Sequence, residues 1–351
     1  MKKNLSFGVG MTYAGSFLGA GYVSGQELWK FFGRYGAAGI AGLVLTMLLF
    51  FALGTMLFLF CFKTKISILD RVIIADGNKT VLTVVSSVQM IFFICVYLLM
   101  SAGVGSLFET CFGVSKYIST AVFCAVITVL TAGGIDRMIK VFSFTVPFLA
   151  VAAVMFSIVF LAKNGFMIDW NIQSMGRYKF GWLFSSLVYM SYNFFGVIGI
   201  MAPVNAKINS IKTGITGILT GVVMLFAIAF SVLAALRSAP VYSQFELPML
   251  NLSFSLGNVF GYIYALLLFL SMAGTSFSCL IAADNYLLEK SRTYKSKHIL
   301  FLTLISLICY LCSLYGFGNL ISTIYPLFGY IGFAVIVLFV VNFFRVSKKT
   351  D

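Results

Sequence analysis

Long runs of apolar residues, separated by short stretches that hold most of the Lys and Arg, dominate the chain. Each run has about 20 residues or more, which is long enough to cross a hydrocarbon layer of about 30 Å as a helix. Strands of an outer-membrane barrel would instead alternate polar and apolar residues in segments of about 10. The pattern predicts an all-α polytopic membrane protein with ten transmembrane helices.

The ten predicted spans cover most of the sequence and form one membrane domain, residues 1–351. They are Leu5 to Phe32, Gly36 to Phe62, Thr80 to Phe108, Lys116 to Thr131, Ile135 to Leu161, Gly181 to Met201, Ile211 to Leu236, Gly257 to Leu288, His298 to Leu314 and Asn319 to Phe344.

Composition and charge agree with a membrane protein. The chain is 61% hydrophobic and only 10% charged, against about 25% charged in a soluble domain. Its net charge of +14 comes from Lys and Arg spread over the connections, which argues against a nucleic-acid-binding face. With ten spans, 17 of the 24 Lys and Arg fall on the side of the N-terminus. The positive-inside rule then predicts a cytoplasmic-membrane protein with both termini in the cytoplasm.

Few residues are available for catalysis or for binding a metal. The chain has one histidine, His298, and seven cysteines that mostly lie within apolar spans. Cys309 and Cys312 form a C-x-x-C in the middle of a predicted helix, where packing is the expected role. We therefore predict that the protein is not an enzyme and has no cofactor.

An internal repeat relates the two halves of the sequence. Spans 1, 2 and 3 match spans 6, 7 and 8 at an offset of about 176 residues, which indicates repeats at approximately 5–161 and 181–344. Each half has five helices, and an odd number of crossings inverts the second copy. The sequence therefore predicts a 5+5 inverted repeat.

Glycine and polar residues interrupt spans 1 and 6. The interruptions are Gly19-Ala20-Gly21, in the stretch SFLGAGYVSGQELWKFF, and YMSYNFFGVIGIMAP, from Tyr189 to Pro203. Backbone freed by an interrupted helix must line a protein cavity, because unsatisfied polar groups are costly in lipid. The sequence predicts discontinuous helices 1 and 6 and a substrate site between them. The candidate residues are Gly19, Ala20, Gly21, Ser24, Gly25, Gln26, Glu27, Tyr192, Asn193, Gly196 and Gly199.

Glu27 has two interpretations. In Ser24-Gly25-Gln26-Glu27, the pattern S-x-x-E is a capping box, in which Glu27 would bond to the backbone N–H of Ser24. An ionisable residue within a span also indicates a substrate or proton contact, because inserting it costs about 3 kcal/mol. The glycines and Tyr192 have an alternative role as well, in close packing and hydrogen bonding between helices.

Span 8 carries a hydroxyl-rich turn, SMAGTSFS, that includes Thr275 and Ser276. Either these hydroxyls bond to their own helix backbone, or they offer oxygen ligands to Na⁺ as a coupling ion. Lys140 in span 5 could instead hold a positive charge and replace the ion, or snorkel to the interface as an anchor.

GAGYVSGQE, followed by an aromatic pair, resembles the YkvI-type family of small bacterial membrane proteins. The whole pattern resembles the amino acid-polyamine-organocation superfamily and its LeuT-like fold. The resemblance implies that Gly19-Ala20-Gly21 receives the backbone of an amino acid substrate, and that Thr275 and Ser276 hold a conserved sodium. The chain departs from larger members by stopping at ten spans and by carrying Glu27 just after the break.

Together, these features predict a secondary transporter of a small organic solute, an amino acid or an amine, working in the bilayer by alternating access coupled to Na⁺ or H⁺. The carboxylate of Glu27 favours a cationic solute. The alternative is a ligand receptor on the same scaffold, similar to spore-germinant receptor subunits, that binds without transport.

Overall fold

The computed structural model describes residues 2–66, 72–73, 79–132, 138–164, 167–169 and 180–350. These residues form helices and short connections, and no strand occurs among them. The α-helices are α1 Lys2–Gly15, α2 Ala20–Val23, α3 Gln26–Phe31, α4 Ala37–Thr64, α5 Lys79–Phe112, α6 Lys116–Ala132, α7 Met138–Lys163, α8 Gly181–Ala206, α9 Ile211–Ser238, α10 Pro248–Leu256, α11 Asn258–Lys290, α12 Arg292–Ser296, α13 His298–Ser313 and α14 Phe317–Thr350. Two 3₁₀-helices, Gly33–Tyr35 and Pro240–Gln244, lie in connections.

The prediction of an all-α membrane protein is confirmed. Within the described ranges, six helices are long and apolar enough to cross a membrane: α4, α5, α8, α9, α11 and α14. Three shorter apolar segments lie in α6, α7 and α13. With the interrupted segment α1–α3, these helices occupy the ten predicted positions, while the number of crossings stays a prediction.

The two ends of the bundle are defined by contacts between distant segments. Near the N-terminus, the hydroxyl groups of Ser6 and Thr216 lie 2.7 Å apart. At the opposite end, Lys30 after the break donates to the carbonyl of Gly318 at the start of α14. We call these the N-terminal end and the opposite end of the bundle.

The helices pair in a pattern that an inverted repeat predicts. In the predicted repeat, α1 corresponds to α8, α4 to α9 and α7 to α14. Helix α1 packs against α9 and α7, and α8 likewise packs against α4 and α14. Helix α5 packs against α11, its own counterpart. The repeat itself stays a prediction, but each helix contact in one half has the counterpart that an inverted repeat would give it in the other half.

The crossing of α1 and α9 shows why small residues are placed there. A Cβ on Gly10 would lie 2.8 Å from the carbonyl oxygen of Gly217, and one on Gly221 would lie 2.7 Å from the carbonyl oxygen of Gly10. Only glycine permits so close an approach, as is typical of helix pairs in membranes. This crossing holds the first half of the interrupted segment in place.

Candidate functional site

The first predicted span is interrupted, as the sequence indicates. Helix α1 ends at Gly15, α2 covers Ala20–Val23, and α3 begins at Gln26. Gly25, which precedes α3, has a left-handed φ of 81°, and a Cβ there would lie 2.7 Å from Leu236. Both the backbone conformation and the close packing therefore require glycine at this position.

Carbonyl groups freed by the interruption are bonded to other segments. Ser271 Oγ on α11 donates to the carbonyl of Leu18 at 3.1 Å. The hydroxyl of Tyr264, also on α11, donates to the carbonyl of Val23 at 2.6 Å. The backbone N–H of Met249 donates to Ser24 at 2.9 Å. These bonds stabilise non-helical backbone inside an apolar bundle, where unpaired carbonyls would be costly.

Glu27 is buried just after the interruption. Its side chain is 3% exposed, and the hydroxyl of Tyr192 on α8 donates to Oε2 at 2.9 Å. A Cβ on Gly21 would lie 2.1 Å from Glu27 Oε1, 2.4 Å from Cγ and 2.5 Å from Cδ. The carboxyl group therefore occupies the space beside the backbone of α2, and Gly21 makes room for it.

The predicted capping box does not form. Gly25 is the N-cap of α3, and no side chain caps that position. Ser24 Oγ lies 3.4 Å from the backbone N–H of Gln26, while the Glu27 carboxyl group turns towards Tyr192 instead of back to Ser24. Of the two interpretations of Glu27, the local cap is wrong.

Three tyrosine rings lie around the same carboxyl group, and Phe31 packs against two of them. Tyr192 stacks on Tyr325 of α14 with ring centroids 4.5 Å apart, and Tyr325 also interacts with Glu27. Tyr189 packs edge-on against Tyr192 at 5.4 Å, and Phe31 packs against Tyr189 at 5.2 Å. We call Glu27, Phe31, Tyr189, Tyr192 and Tyr325 the Glu27 cluster.

The prediction that helix 6 is discontinuous is wrong. Helix α8 runs without a break from Gly181 to Ala206 and includes Pro203 in its last turn. Asn193 does not mark an interruption, because its amide bonds to the carbonyl of Tyr189 one turn earlier. Gly196 and Gly199 allow the side chains of α5 to approach. A Cβ on Gly196 would lie 2.9 Å from a ring carbon of Phe92, and one on Gly199 would lie 2.6 Å from Gln89 Nε2.

A second polar contact set lies at the opposite end of the bundle. Lys30 Nζ donates to the carbonyl of Gly318 at 2.6 Å, and the N–H of Gly318 donates to Glu246 Oε1 at 3.4 Å. A Cβ on Gly318 would lie 3.1 Å from Gln26 Nε2. These contacts connect α3 with the start of α14 at the opposite end of the bundle.

The hydroxyl groups of α11 lie near the interruption, since Ser271, one turn earlier on the same helix, contacts Leu18. Ser276 Oγ is fully buried and has no hydrogen-bonding partner among the residues that the structure describes, whereas Thr275 is half-buried. Lys140 lies in α7, and its side chain is outside the described part of the structure, as is that of Ala20. Gly19 is half-buried, and a Cβ there would meet Met100 at 3.6 Å.

Sequence reasoning missed three members of the cluster: Tyr325, Tyr189 and Phe31. Tyr325 precedes Pro326 within a long apolar helix, and a tyrosine beside a proline in a span was the available signal. Tyr189 lies within the stretch predicted to interrupt span 6, but helical spacing from Tyr192 would have placed both rings on one face.

The arrangement of helices defines a helical membrane protein with the LeuT-like transporter fold. The chain is similar to the structure of MhsT in complex with L-phenylalanine, with a TM-score of 0.69, 15% identity and coverage of 95% of this chain and 88% of MhsT. The chain is also similar to the structure of a manganese transporter of Eremococcus coleocola, with a TM-score of 0.51 and 13% identity. That alignment covers 89% of this chain and 69% of the manganese transporter.

The sequence is similar to two Bacillus subtilis (strain 168) proteins. It is 27% identical to the uncharacterized membrane protein YkvI over 330 residues, and 22% identical to the uncharacterized protein YyaD over 331 residues. Each alignment covers 92% of both chains. No family model matches the sequence. The predicted YkvI-type and LeuT-like resemblance is confirmed, and these similarities agree with the prediction of a non-enzymatic membrane protein.

Proposed function

We propose that the protein is a secondary active transporter of a small organic solute, an amino acid or an amine, and works by alternating access coupled to Na⁺ or H⁺. It would lie in the cytoplasmic membrane with both termini in the cytoplasm. The N-terminal end of the bundle would then face the cytoplasm, and the end with Lys30 and Gly318 would face outwards.

The observation that carries this proposal is Glu27. A carboxylate buried beside an interrupted helix is costly in a membrane protein and has a functional role by default. In proteins with this architecture, the interruption of a helix near the bilayer midplane is where a solute binds. The Glu27 cluster offers such a solute one carboxylate and several aromatic rings.

Contacts on the outer side of the cluster support alternating access. The bond from Lys30 to Gly318 and the proximity of Gln26 to Gly318 connect α3 with α14. A few hydrogen bonds at the surface form a closure that small movements of helices can break and remake. These contacts support a state that is closed at the outer end.

The buried hydroxyl of Ser276 supports coupling to Na⁺. A hydroxyl group without a partner loses the hydrogen bonds that it would make in water. Oxygen ligands from Thr275, Ser276 and the backbone near the interruption would suit a hard cation. A proton carried by Glu27 is the alternative means of coupling, and the two are separated by the experiment below.

Uptake into proteoliposomes tests the proposal. Purified protein would be given a panel of radiolabelled amino acids and amines under a Na⁺ gradient or a pH gradient, each imposed alone. We expect accumulation of at least one solute with one gradient, and its loss in Glu27→Gln. Glu109→Gln, at an exposed position on α5, is the matched control and should transport normally.

Binding without uptake would contradict the proposal and favour a receptor on the same scaffold. Equal uptake by Glu27→Gln and the wild-type protein would instead remove Glu27 from the solute site. Both variants would be checked for a single monodisperse peak before reconstitution.

A further inference from the structure

We infer that the Glu27 cluster selects a cationic amine without a carboxylate, and so excludes the parent amino acid of that amine. The inference rests on the proposed function and narrows its solute class. It depends on three observations. The first is the position of the Glu27 carboxyl group, the second is the charge around it, and the third is the character of the side chains that surround it.

The carboxyl group of Glu27 already fills the space beside α2. Three atoms of the Glu27 side chain, Oε1, Cγ and Cδ, lie 2.1 to 2.5 Å from the place where a Cβ on Gly21 would be. A solute carboxylate therefore cannot lie against the backbone of Gly21 while Glu27 remains there. The protein supplies a carboxylate at this place itself.

No positive side chain balances that carboxylate at close range. Among the side chains that the structure describes, no Lys, Arg or His comes within the ion-pair distance of 4.0 Å from Glu27. Lys30 is on the same short helix and interacts electrostatically with Glu27 from beyond that distance, while its Nζ is bonded to the carbonyl of Gly318. A second carboxylate brought by a solute would add like-charge repulsion in an apolar setting, where such repulsion is strong. A solute ammonium would instead give Glu27 its missing counter-ion.

The neighbours of Glu27 suit an ammonium group. Among the described residues, Tyr189 OH is fully buried and has no hydrogen-bonding partner. A hydroxyl oxygen can accept, and an ammonium group has three N–H donors to share between it and Glu27. Aromatic faces attract cations as well, and three tyrosines and Phe31 form the walls of this cluster. A carboxylate, which has no donor and no positive charge, would use neither feature.

Matched ligand pairs test the inference on the wild-type protein in detergent or nanodiscs. Each pair differs by one carboxylate: phenethylamine and phenylalanine, tyramine and tyrosine, cadaverine and lysine. Phenylalanine amide adds a control, because it keeps an ammonium and the bulk of a carboxyl group without its negative charge. Binding would be measured by isothermal calorimetry and uptake by proteoliposome assay.

We expect at least one amine to bind tenfold or more tightly than its parent amino acid, and phenylalanine amide to bind more tightly than phenylalanine. In Glu27→Gln, binding of that amine should fall at least tenfold, while Glu109→Gln leaves it unchanged. Tyr192→Phe, which keeps the ring and removes the hydroxyl bonded to Glu27, should weaken binding less than Glu27→Gln.

Three results would overturn the inference. If an amino acid binds and is transported as well as its amine, the solute class is wrong, although the proposed transport stands. If Glu27→Gln retains full amine binding, the carboxylate does not select the cation. If monodisperse wild-type protein neither binds nor transports any amine or amino acid, the inference and the proposed function both fail.

Discussion

Gly21→Ala tests the central geometry of the site, the contact between Gly21 and the Glu27 carboxyl group. The added methyl group would lie 2.1 Å from Oε1 and within 2.5 Å of Cγ and Cδ. All three atoms belong to the Glu27 side chain, so the overlap is relieved only when its carboxyl group moves away from α2. Its hydrogen bond from Tyr192 OH, 2.9 Å long, would break.

The expected loss can be worked from these contacts. A hydrogen bond to a charged group contributes about 1.5–3 kcal/mol, and overpacking a buried position costs about 1–3 kcal/mol. Alanine returns up to about 1 kcal/mol, because Gly21 lies in α2 and its φ is not left-handed. We therefore expect Gly21→Ala to lower the free energy of unfolding by about 1.5–6 kcal/mol.

The sign should reverse when Glu27 is absent. In a Glu27→Ala background, Gly21→Ala meets none of the three closest atoms and keeps the gain in helix propensity, so it should be neutral or stabilising by up to about 1 kcal/mol. Unfolding titrations of the four proteins in mixed micelles form a double-mutant cycle. Gly8→Ala is the control, because a Cβ there has no atom within 4 Å. An equal loss in both backgrounds, or no loss in either, would refute the contact.

Three further substitutions test other parts of the structure. Arg237→Met removes a buried guanidinium that donates to the carbonyl of Gly33 at 3.1 Å, and should lower the free energy of unfolding by about 2–4 kcal/mol; an unchanged unfolding curve would contradict that role. Ser276→Ala should leave stability in Na⁺-free buffer equal or higher and abolish the rise in thermal stability that the proposed Na⁺ site predicts for the wild-type protein; a Na⁺ effect retained in the variant would remove Ser276 from that site. Burial and the Asp284 carboxylate raise the pKa of Tyr294, which therefore stays a donor at neutral pH. Tyr294→Phe should lower the free energy of unfolding by about 1.5–3 kcal/mol in an unfolding titration. A loss no larger than that caused by removing an exposed hydroxyl would show that the bond is not formed.

The fold and the first interruption could be predicted because both depend on local composition. Apolar length sets the number of spans, and glycines beside polar residues disfavour a continuous helix at Gly19 to Gly25. Glu27 was recognisable for the same reason, since an isolated carboxylate in an apolar run needs a cause. Its partners Tyr192 and Tyr325 come from helices far along the chain. Tyr192 was a candidate because of its polar neighbours, and Tyr325 precedes Pro326, but neither feature indicates that the two tyrosines meet Glu27.

The prediction for span 6 failed because close packing and interruption use the same residues. In the sequence, Gly196 and Gly199 follow polar residues, as glycines at a helix break do. In the structure, the space beside them is filled by Phe92 and Gln89 of α5. Gln89 Nε2 also donates to the carbonyl of Phe195 at 3.1 Å, which binds α5 to α8 while the helix remains continuous. Separating the two cases requires knowing which helix lies opposite, and that is a property of the tertiary structure.

In the part of the chain that the structure describes, the proposed site combines the interrupted segment α1–α3 with the continuous helix α8. A second broken helix would offer backbone groups to a buried solute, whereas here the same kinds of polar atoms come from side chains on continuous helices. Tyr192 on α8 and Tyr325 on α14 meet Glu27, and Ser191 on α8 donates to the carbonyl of Gly329, which joins these two helices. Side chains, unlike backbone, can be changed without breaking a helix. The polar character of this site is therefore set by a few tyrosines and one carboxylate, and its solute preference should follow those residues when they are exchanged.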